Sequence, residues 1–309
     1  MRLFSVSLWV LASTSSLLLS SCTEPTSTPL EPSQSAAPTS VTNNSDETSA
    51  ASTQPVQQLQ ATVNAAYPFD SSLFVQGLEV TPSGDLLVGT GMNGESGLFR
   101  ITPGEGKAQE INKLDEHYFG EGIAQTTTAA NEDVVWQLTW KNGEAFKYDA
   151  STFALVDTAH FAGEGWGLCS LDAAAAPAAL TAQQGTRDAQ VLALSDGTPT
   201  IRFMDPDTFA EQGSITVTFN DEPVTDINEL ECAGDHIYAN VWMTDQILRI
   251  DPATGTVTAT IDTSAAANNA AGDVNNVLNG IAAIPNSDEF YITGKRWPDL
   301  YRVRFEPAA

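Results

Sequence analysis

A short phrase recurs five times along this chain. It reads Gln76-Gly77-Leu78, Glu121-Gly122-Ile123, Trp166-Gly167-Leu168, Asn228-Glu229-Leu230 and Asn279-Gly280-Ile281. The copies are spaced by 45, 45, 62 and 51 residues. About forty to fifty residues is the length of one four-stranded propeller blade, so the spacing predicts an all-β, five-bladed β-propeller. The first residue varies among the copies: Gln, Glu, Trp, Asn and Asn. In a propeller these positions converge on one axis, and unlike side chains meeting at a point have the look of a site.

The segments between phrases fit the blade pattern. Second strands are predicted at 85–91, 134–140, 190–196, 236–242 and 289–295. Their last residues align as Gly91, Trp140, Asp196, Trp242 and Lys295. Third strands carry a basic residue in register, at Arg100, Lys147, Arg202, Arg249 and Arg302, and recurrence in every blade marks these as structural. Asp205-Pro206 and Asp251-Pro252 signal turns after two of them. Fourth strands fit 107–111, 154–161, 214–219 and 256–261. The fifth repeat has none, because the chain stops after Phe305. The stretch 58–66 has strand character and would supply the missing strand, closing the ring in the last blade and leaving no open edge. An Ala-rich insertion at about 172–188 lengthens the third repeat and is expected to be a surface loop.

The folded domain is expected to span 58–309. Residues 1–21 carry one charge, Arg2, and an apolar run from Leu8 to Leu19, the pattern of a secretory signal. The signal ends Leu19-Ser20-Ser21-Cys22, which resembles a bacterial lipoprotein cleavage site. Cys22 would then carry the lipid, giving an anchor rather than a span. Residues 22–57 are rich in Ser, Thr and Pro and read as a disordered tether. The expected location is outside the inner membrane, periplasmic or on the cell surface, with membrane contact only through that lipid. A monomer is expected.

The net charge of −26 makes nucleic acid a poor partner. It fits either a solvated acidic surface or the steering of cationic ligands such as peptides with free amino termini. Cys169 and Cys232 follow the third and fourth phrases at similar offsets. That puts them in comparable parts of adjacent blades and leaves their pairing open.

Three features fall near one end of the predicted axis. In Phe119-Gly120-Glu121-Gly122, a carboxylate sits between two glycines beside an aromatic. Burial there raises a glutamate's pKa and suits it to shuttling a proton, though a structural Glu binding backbone N–H groups has the same look. Three of the six tryptophans, Trp140, Trp166 and Trp242, lie at strand ends and could wall a pocket. Lys295, with Asn228 and Asn279, could stabilise an oxyanion. The three histidines, His117, His160 and His236, lack metal-ligand spacing, so no zinc site is expected. Neither a Gly-x-Ser-x-Gly elbow nor a phosphate loop occurs.

At these residues the chain resembles the plant and bacterial type of glutaminyl-peptide cyclotransferase, an acyltransferase. The likeness runs over about 63–305. It is carried by Tyr67-Pro68, Phe74-Val75-Gln76-Gly77-Leu78, Phe119-Gly120-Glu121-Gly122-Ile123, Gln137-Leu138-Thr139-Trp140, Gly163-Glu164-Gly165-Trp166-Gly167-Leu168, Ser195-Asp196-Gly197, Asn228-Glu229-Leu230-Glu231, Ala239-Asn240-Val241-Trp242, Asn279-Gly280-Ile281-Ala282 and Thr293-Gly294-Lys295-Arg296-Trp297-Pro298. The resemblance implies a five-bladed propeller that converts N-terminal glutamine of peptides to pyroglutamate and releases ammonia, without a cofactor or a catalytic metal. A structural calcium stays open. It implies Glu121 as proton shuttle, Phe74, Gln76 and Phe119 as pocket residues, Trp140, Trp166 and Trp242 as the aromatic wall, and Asn228 and Lys295 as the polar groups facing the amide. The chain departs from the family pattern at Phe69, Val75 and Val88-Gly89-Thr90-Gly91. Two other readings fit the residues: a metal-dependent propeller hydrolase with Glu121, Asn228 and Asn279 as ligands, and an envelope binding module without turnover.

Overall fold

The computed structural model describes residues 55–180 and 189–308. The signal segment, Cys22, the tether to residue 54, and 181–188 of the Ala-rich insertion lie outside them. The described chain opens with β1 (Gln57–Pro68). A first meander follows: β2 (Val75–Val80), β3 (Leu86–Thr90), β4 (Gly97–Ile101) and β5 (Gln109–Lys113). The second is β6 (Gly120–Thr127), β7 (Asp133–Thr139), β8 (Glu144–Asp149) and β9 (Leu155–His160), and the third is β10 (Leu168–Asp172), β11 (Gln190–Ser195), β12 (Thr200–Met204) and β13 (Glu211–Thr216). A two-stranded ladder, β14 (Thr218–Phe219) with β15 (Glu222–Pro223), precedes β16 (Ile227–Ala233), β17 (His236–Val241), β18 (Gln246–Ile250) and β19 (Val257–Asp262). The last strands are β20 (Leu278–Ala283), β21 (Glu289–Gly294) and β22 (Asp299–Pro307).

β1 completes the final unit. It runs antiparallel to β22, Leu59 opposite Pro307 through Pro68 opposite Asp299, so both ends of the folded chain share one sheet, as expected. The strand is longer than 58–66. Its first residues also pair in parallel with β19, Gln57 opposite Ala259 to Gln60 opposite Asp262, which joins two four-stranded runs into one eight-stranded sheet. β1 thereby covers the outer edges of β19 and β22. The innermost strands contact one another in the order β2, β6, β10, β16, β20 and back to β2.

The core lies between these units rather than at one centre. Leu87, Leu98, Ile123 and Val135 pack between the first and second units. Trp136, Leu138, Leu192 and Met204 pack between the second and third. Similar clusters fill the remaining junctions. Inner strands are buried on both faces and read as continuous apolar runs, such as Leu86-Leu87-Val88, whereas β9 at an outer edge is almost wholly exposed. Truncating an interface residue such as Leu78 to Ala is worth about 2–5 kcal/mol in lost contacts and residual cavity.

The repeat glycines sit where neighbouring inner strands cross. A Cβ on Gly122 would lie 2.6 Å from Leu168 N, and one on Gly167 would lie 2.2 Å from Asn228 O. The fourth phrase has Glu229 in place of glycine. Its buried side chain reaches the neighbouring strand β20 and, beyond it, β2, with Oε2 accepting from Ile281 N at 2.9 Å and Oε1 from Leu78 N at 3.2 Å.

One open question is answered and two expectations need correction. Cys169 and Cys232 form a disulfide with Cα atoms 5.4 Å apart, because β10 and β16 bring them face to face inside one interface cluster. The fourth strand of the third unit is 211–216 rather than 214–219, with 218–219 diverted into the small ladder. The insertion is not all surface: Ala173, Ala176 and Leu180 are buried, Leu180 against Gly213, since apolar side chains this close to β13 exclude water better packed than exposed. The in-register basic residues do take structural contacts. Lys147 Nζ donates to Asp207 O at 3.0 Å, Arg100 stacks on Phe153, and Arg249 donates to Thr258 and Gln57.

Candidate active site

The repeat phrases are sites of local backbone irregularity. Register shifts fall at Val75/Gly77, Gly120/Ile123, Ile227/Leu230 and Leu278/Ile281, each bracketing the leading residue of a phrase. A bulge leaves a residue out of the ladder and re-aims its side chain. That is how Gln76, Glu121 and Asn279, on strands of three different units, meet: Asn279 Nδ2 donates to Gln76 Oε1 at 2.9 Å, and Gln76 Nε2 donates to Glu121 Oε1 at 2.9 Å. Asn279 Nδ2 also donates to Val75 O, which holds the chain of amides in one orientation. Glu121 Oε2 has no hydrogen-bond partner among the described residues.

Glu121 and Lys295 are both buried. Burial holds the Glu121 carboxyl well above the usual carboxylate range; Lys295 works against that rise and Glu164 adds to it. Burial also lowers Lys295, to about 8, although Glu121 favours its charged form. Both groups are thus drawn toward neutrality, the condition in which a proton moves between them and a substrate at small cost. Lys295 Nζ stands 5.2 Å from the centre of the Phe74 ring, a cation–π contact.

Aromatic residues extend from that point in a series bridged once by a carboxylate. Phe74 meets Phe119 edge-on at 6.1 Å, and Phe119 meets Trp140 at 5.5 Å. Trp140 Nε1 donates to Glu164 Oε2 at 2.7 Å, and Trp166 Nε1 donates to the same oxygen at 3.0 Å. Trp166 then meets Trp242 edge-on at 5.8 Å. Trp242 is 37% exposed, so the wall runs from the buried Lys295 to solvent. Trp136 and Trp297, by contrast, are core residues at 0% and 1%.

The predicted residues Glu121, Gln76, Lys295, Phe74, Phe119, Trp140, Trp166 and Trp242 are therefore brought into one contiguous set. Asn228 is buried at the matching position of β16, where its carbonyl accepts from Ser195 Oγ at 2.6 Å. Asn279 enters the site more directly than its sequence context indicates. Two residues were visible only as letters within matching phrases. Glu164 joins two indoles, and Asn240 Oδ1 holds Gly280 N at 3.0 Å. The sequence signal for Glu164 is its place between Gly163 and Gly165, the same glycine-flanked pattern that marks Glu121. The departures Phe69 and Val75 are buried core positions, whereas Gly91 abuts Phe119. Among the described residues, no group of three or more His, Cys, Asp or Glu side chains is arranged to hold a metal ion.

The chain is similar to known proteins over this whole region. The glutamine cyclotransferase family matches residues 35–178 and 181–305. A glutaminyl-peptide cyclotransferase of Arabidopsis thaliana is 32% identical over 251 residues, covering 80% of this chain and 72% of that protein. The crystal structure of Myxococcus xanthus glutaminyl cyclase superposes with a TM-score of 0.70 at 32% identity, over 82% of this chain and all of that one. On the repeat phrases, the all-β sheet order and these matches, the chain belongs to the glutamine cyclotransferase family.

Proposed function

We propose that this protein is a glutaminyl-peptide cyclotransferase, acting on peptides or proteins with N-terminal glutamine, in which Glu121 carries the proton. The observation that carries the reading is a buried carboxylate with one oxygen fixed by Gln76 and the other without a partner among the described residues, beside a buried lysine at the closed end of an aromatic wall. The α-amine nitrogen of the substrate attacks the side-chain amide carbon of the same residue. One C–N bond forms, and the oxygen becomes an oxyanion. Glu121 takes a proton from the attacking nitrogen and delivers it to the amide nitrogen, the second C–N bond breaks, and ammonia leaves. The nucleophile and the electrophile belong to one residue, so proximity supplies much of the rate once the aromatic pocket folds the glutamine. Lys295 and Asn228 stabilise the oxyanion. Phe74, Phe119, Trp140, Trp166 and Trp242 enclose the glutamine side chain. No cofactor takes part.

The lipid anchor on Cys22 and an extracytoplasmic location belong to the same reading. The Leu19-Ser20-Ser21-Cys22 pattern supports them, and so does the Cys169–Cys232 disulfide, which persists in oxidising compartments. The enzyme would act as a monomer.

Mass spectrometry of a Gln-initiated peptide incubated with the protein, with and without a chelator, tests the activity. Ammonia loss that survives chelation is expected. An unchanged peptide in both samples would sink the reading, and loss abolished by chelation would move it to a metal-dependent enzyme.

A further inference from the structure

Glu164 lies on the connection between β9 and β10, and its position is unusually determined for a loop residue. Arg202 clamps the backbone on both sides, with Nη1 donating to Ala162 O at 2.6 Å and Nη2 to Glu164 O at 2.9 Å. The flanking glycines permit the path. Gly163 has a φ of +80°, and a Cβ on Gly165 would lie 2.8 Å from the Phe161 ring. The carboxylate that this backbone presents uses one oxygen for two tryptophans from different units, Trp140 and Trp166. Its other oxygen faces Lys141 Nζ at 3.7 Å, and Lys141 Nζ lies 3.9 Å from the centre of the Trp140 ring. The group is 38% exposed at the side chain, between the two indoles of the wall.

We propose that Glu164 is a positioning residue for the cyclisation: it locks the Trp140 and Trp166 indoles into one rigid wall and sets a negative charge beside the glutamine pocket. The proposal rests on the cyclotransferase reading above. Each indole N–H needs a partner when buried, and a charged acceptor gives about twice the strength of a neutral one. Trp140 bears on Phe119, and Phe119 on Phe74 and so on Lys295's surroundings, so a loosened Trp140 reaches the closed end of the pocket. Trp166 bears on Trp242 and on Gly197, whose missing side chain makes room for the indole. The carboxylate acts through these rings, and its charge also acts on Glu121, against Lys295.

The test compares Glu164→Ala and Glu164→Gln with wild type. The readouts are kcat and KM for a Gln-initiated peptide, the pH profile of kcat/KM, and near-ultraviolet circular dichroism of the indoles. Loss of a charged acceptor shared by two donors predicts that Glu164→Ala raises KM roughly ten- to a hundredfold, changes kcat by less than about threefold, and weakens the indole signal. Glu164→Gln keeps an acceptor oxygen and loses the charge. It recovers most of KM, and its acidic limb moves to lower pH because Glu121 gives up its proton more readily. Wild-type KM with an unaltered indole signal in a folded Glu164→Ala overturns the proposal. If that variant does not fold, Glu164→Gln decides: a displaced acidic limb supports the proposal, and KM and limb both at wild-type values overturn it. A wild-type protein that releases no ammonia overturns the function reading instead, and the indole signal then still judges the positioning role.

Discussion

Glu121 Oε1 accepts a hydrogen bond from Gln76 Nε2 at 2.9 Å, which leaves Oε2 as the oxygen free to exchange a proton with a substrate. Replacing Glu121 with Gln preserves volume and the packing around β6 while removing the exchangeable proton. We expect Glu121→Gln to keep wild-type far-ultraviolet circular dichroism and to lower kcat by about 10²–10⁴-fold, the usual contribution of general acid–base catalysis. Steady-state kinetics on a Gln-initiated peptide checks this. Near-normal turnover would remove Glu121 as the shuttle.

The pair Glu121 and Lys295 should shape the pH profile. Glu121 must start as the carboxylate, and burial raises its pKa, so activity rises with pH as it ionises. The substrate amine, with an ordinary pKa of about 7.7–8.0, adds to the same limb because only its neutral form attacks. Lys295 must be charged to hold an oxyanion, and burial lowers it to about 8, so activity falls again above that pH. A bell-shaped kcat/KM profile is expected, its limbs belonging to the coupled groups rather than to either alone. Lys295→Met should lose the alkaline limb and about 10²–10³-fold in kcat. An alkaline limb that persists unchanged in that variant would assign it elsewhere.

How far the sequence alone reached depends on what each position does. Recurrent features were legible: the five phrases, the second strands to within a residue at most ends, and the return of the N-terminal strand to β22. These follow from a repeated demand, an apolar inner strand crossing its neighbour at a glycine. The tryptophans at strand ends were legible because they break that regularity. What stayed hidden is set by contacts across units. Nothing local to Glu164 reveals that two indoles donate to it, and nothing local to Cys169 reveals that Cys232 lies opposite. Nothing local to Glu229 reveals that the residue in place of a repeat glycine hydrogen-bonds strands of two other units. The aligned strand ends explain why Gly91 stands where other units carry Trp140, Trp242 or Lys295. A Cβ there would lie 2.4 Å from the Phe119 ring, so glycine is what leaves space for the pocket aromatic.

Glu79 predicts a pH-dependent stability unrelated to turnover. Enclosure raises its pKa to about 7, with hydrogen bonds from Gln125 opposing the shift, and Glu229 and Glu231 are raised beside it. A folded pKa above the unfolded value favours the native state only while the group is protonated. The contribution is therefore full below the ordinary carboxyl pKa and is lost as pH rises through about 7. Thermal unfolding should show a lower midpoint at pH 8 than at pH 5. Glu79→Gln should flatten that difference, because the amide stays neutral throughout; an equally steep fall in the variant would place its origin in other groups.

The Cys169–Cys232 disulfide closes a loop with a sequence separation of 63 and joins the inner strands of two adjacent units. Cross-linking a loop of that length restricts the unfolded chain by about 4 kcal/mol in the chain-entropy treatment. The bond lies in an apolar interface with Leu171, Ile227 and Ile237, and those contacts remain when the cross-link is lost. Replacing both cysteines with Ala should therefore cost up to about 4 kcal/mol in denaturant unfolding and leave kcat near wild type at room temperature. Wild-type protein in reductant should fall to the same unfolding midpoint as the variant. A midpoint unmoved by either treatment would show that the interface alone fixes the two strands, and a collapse of kcat in the folded variant would tie the bond to the geometry of Trp166 and Asn228, which lie three and four residues from its two cysteines.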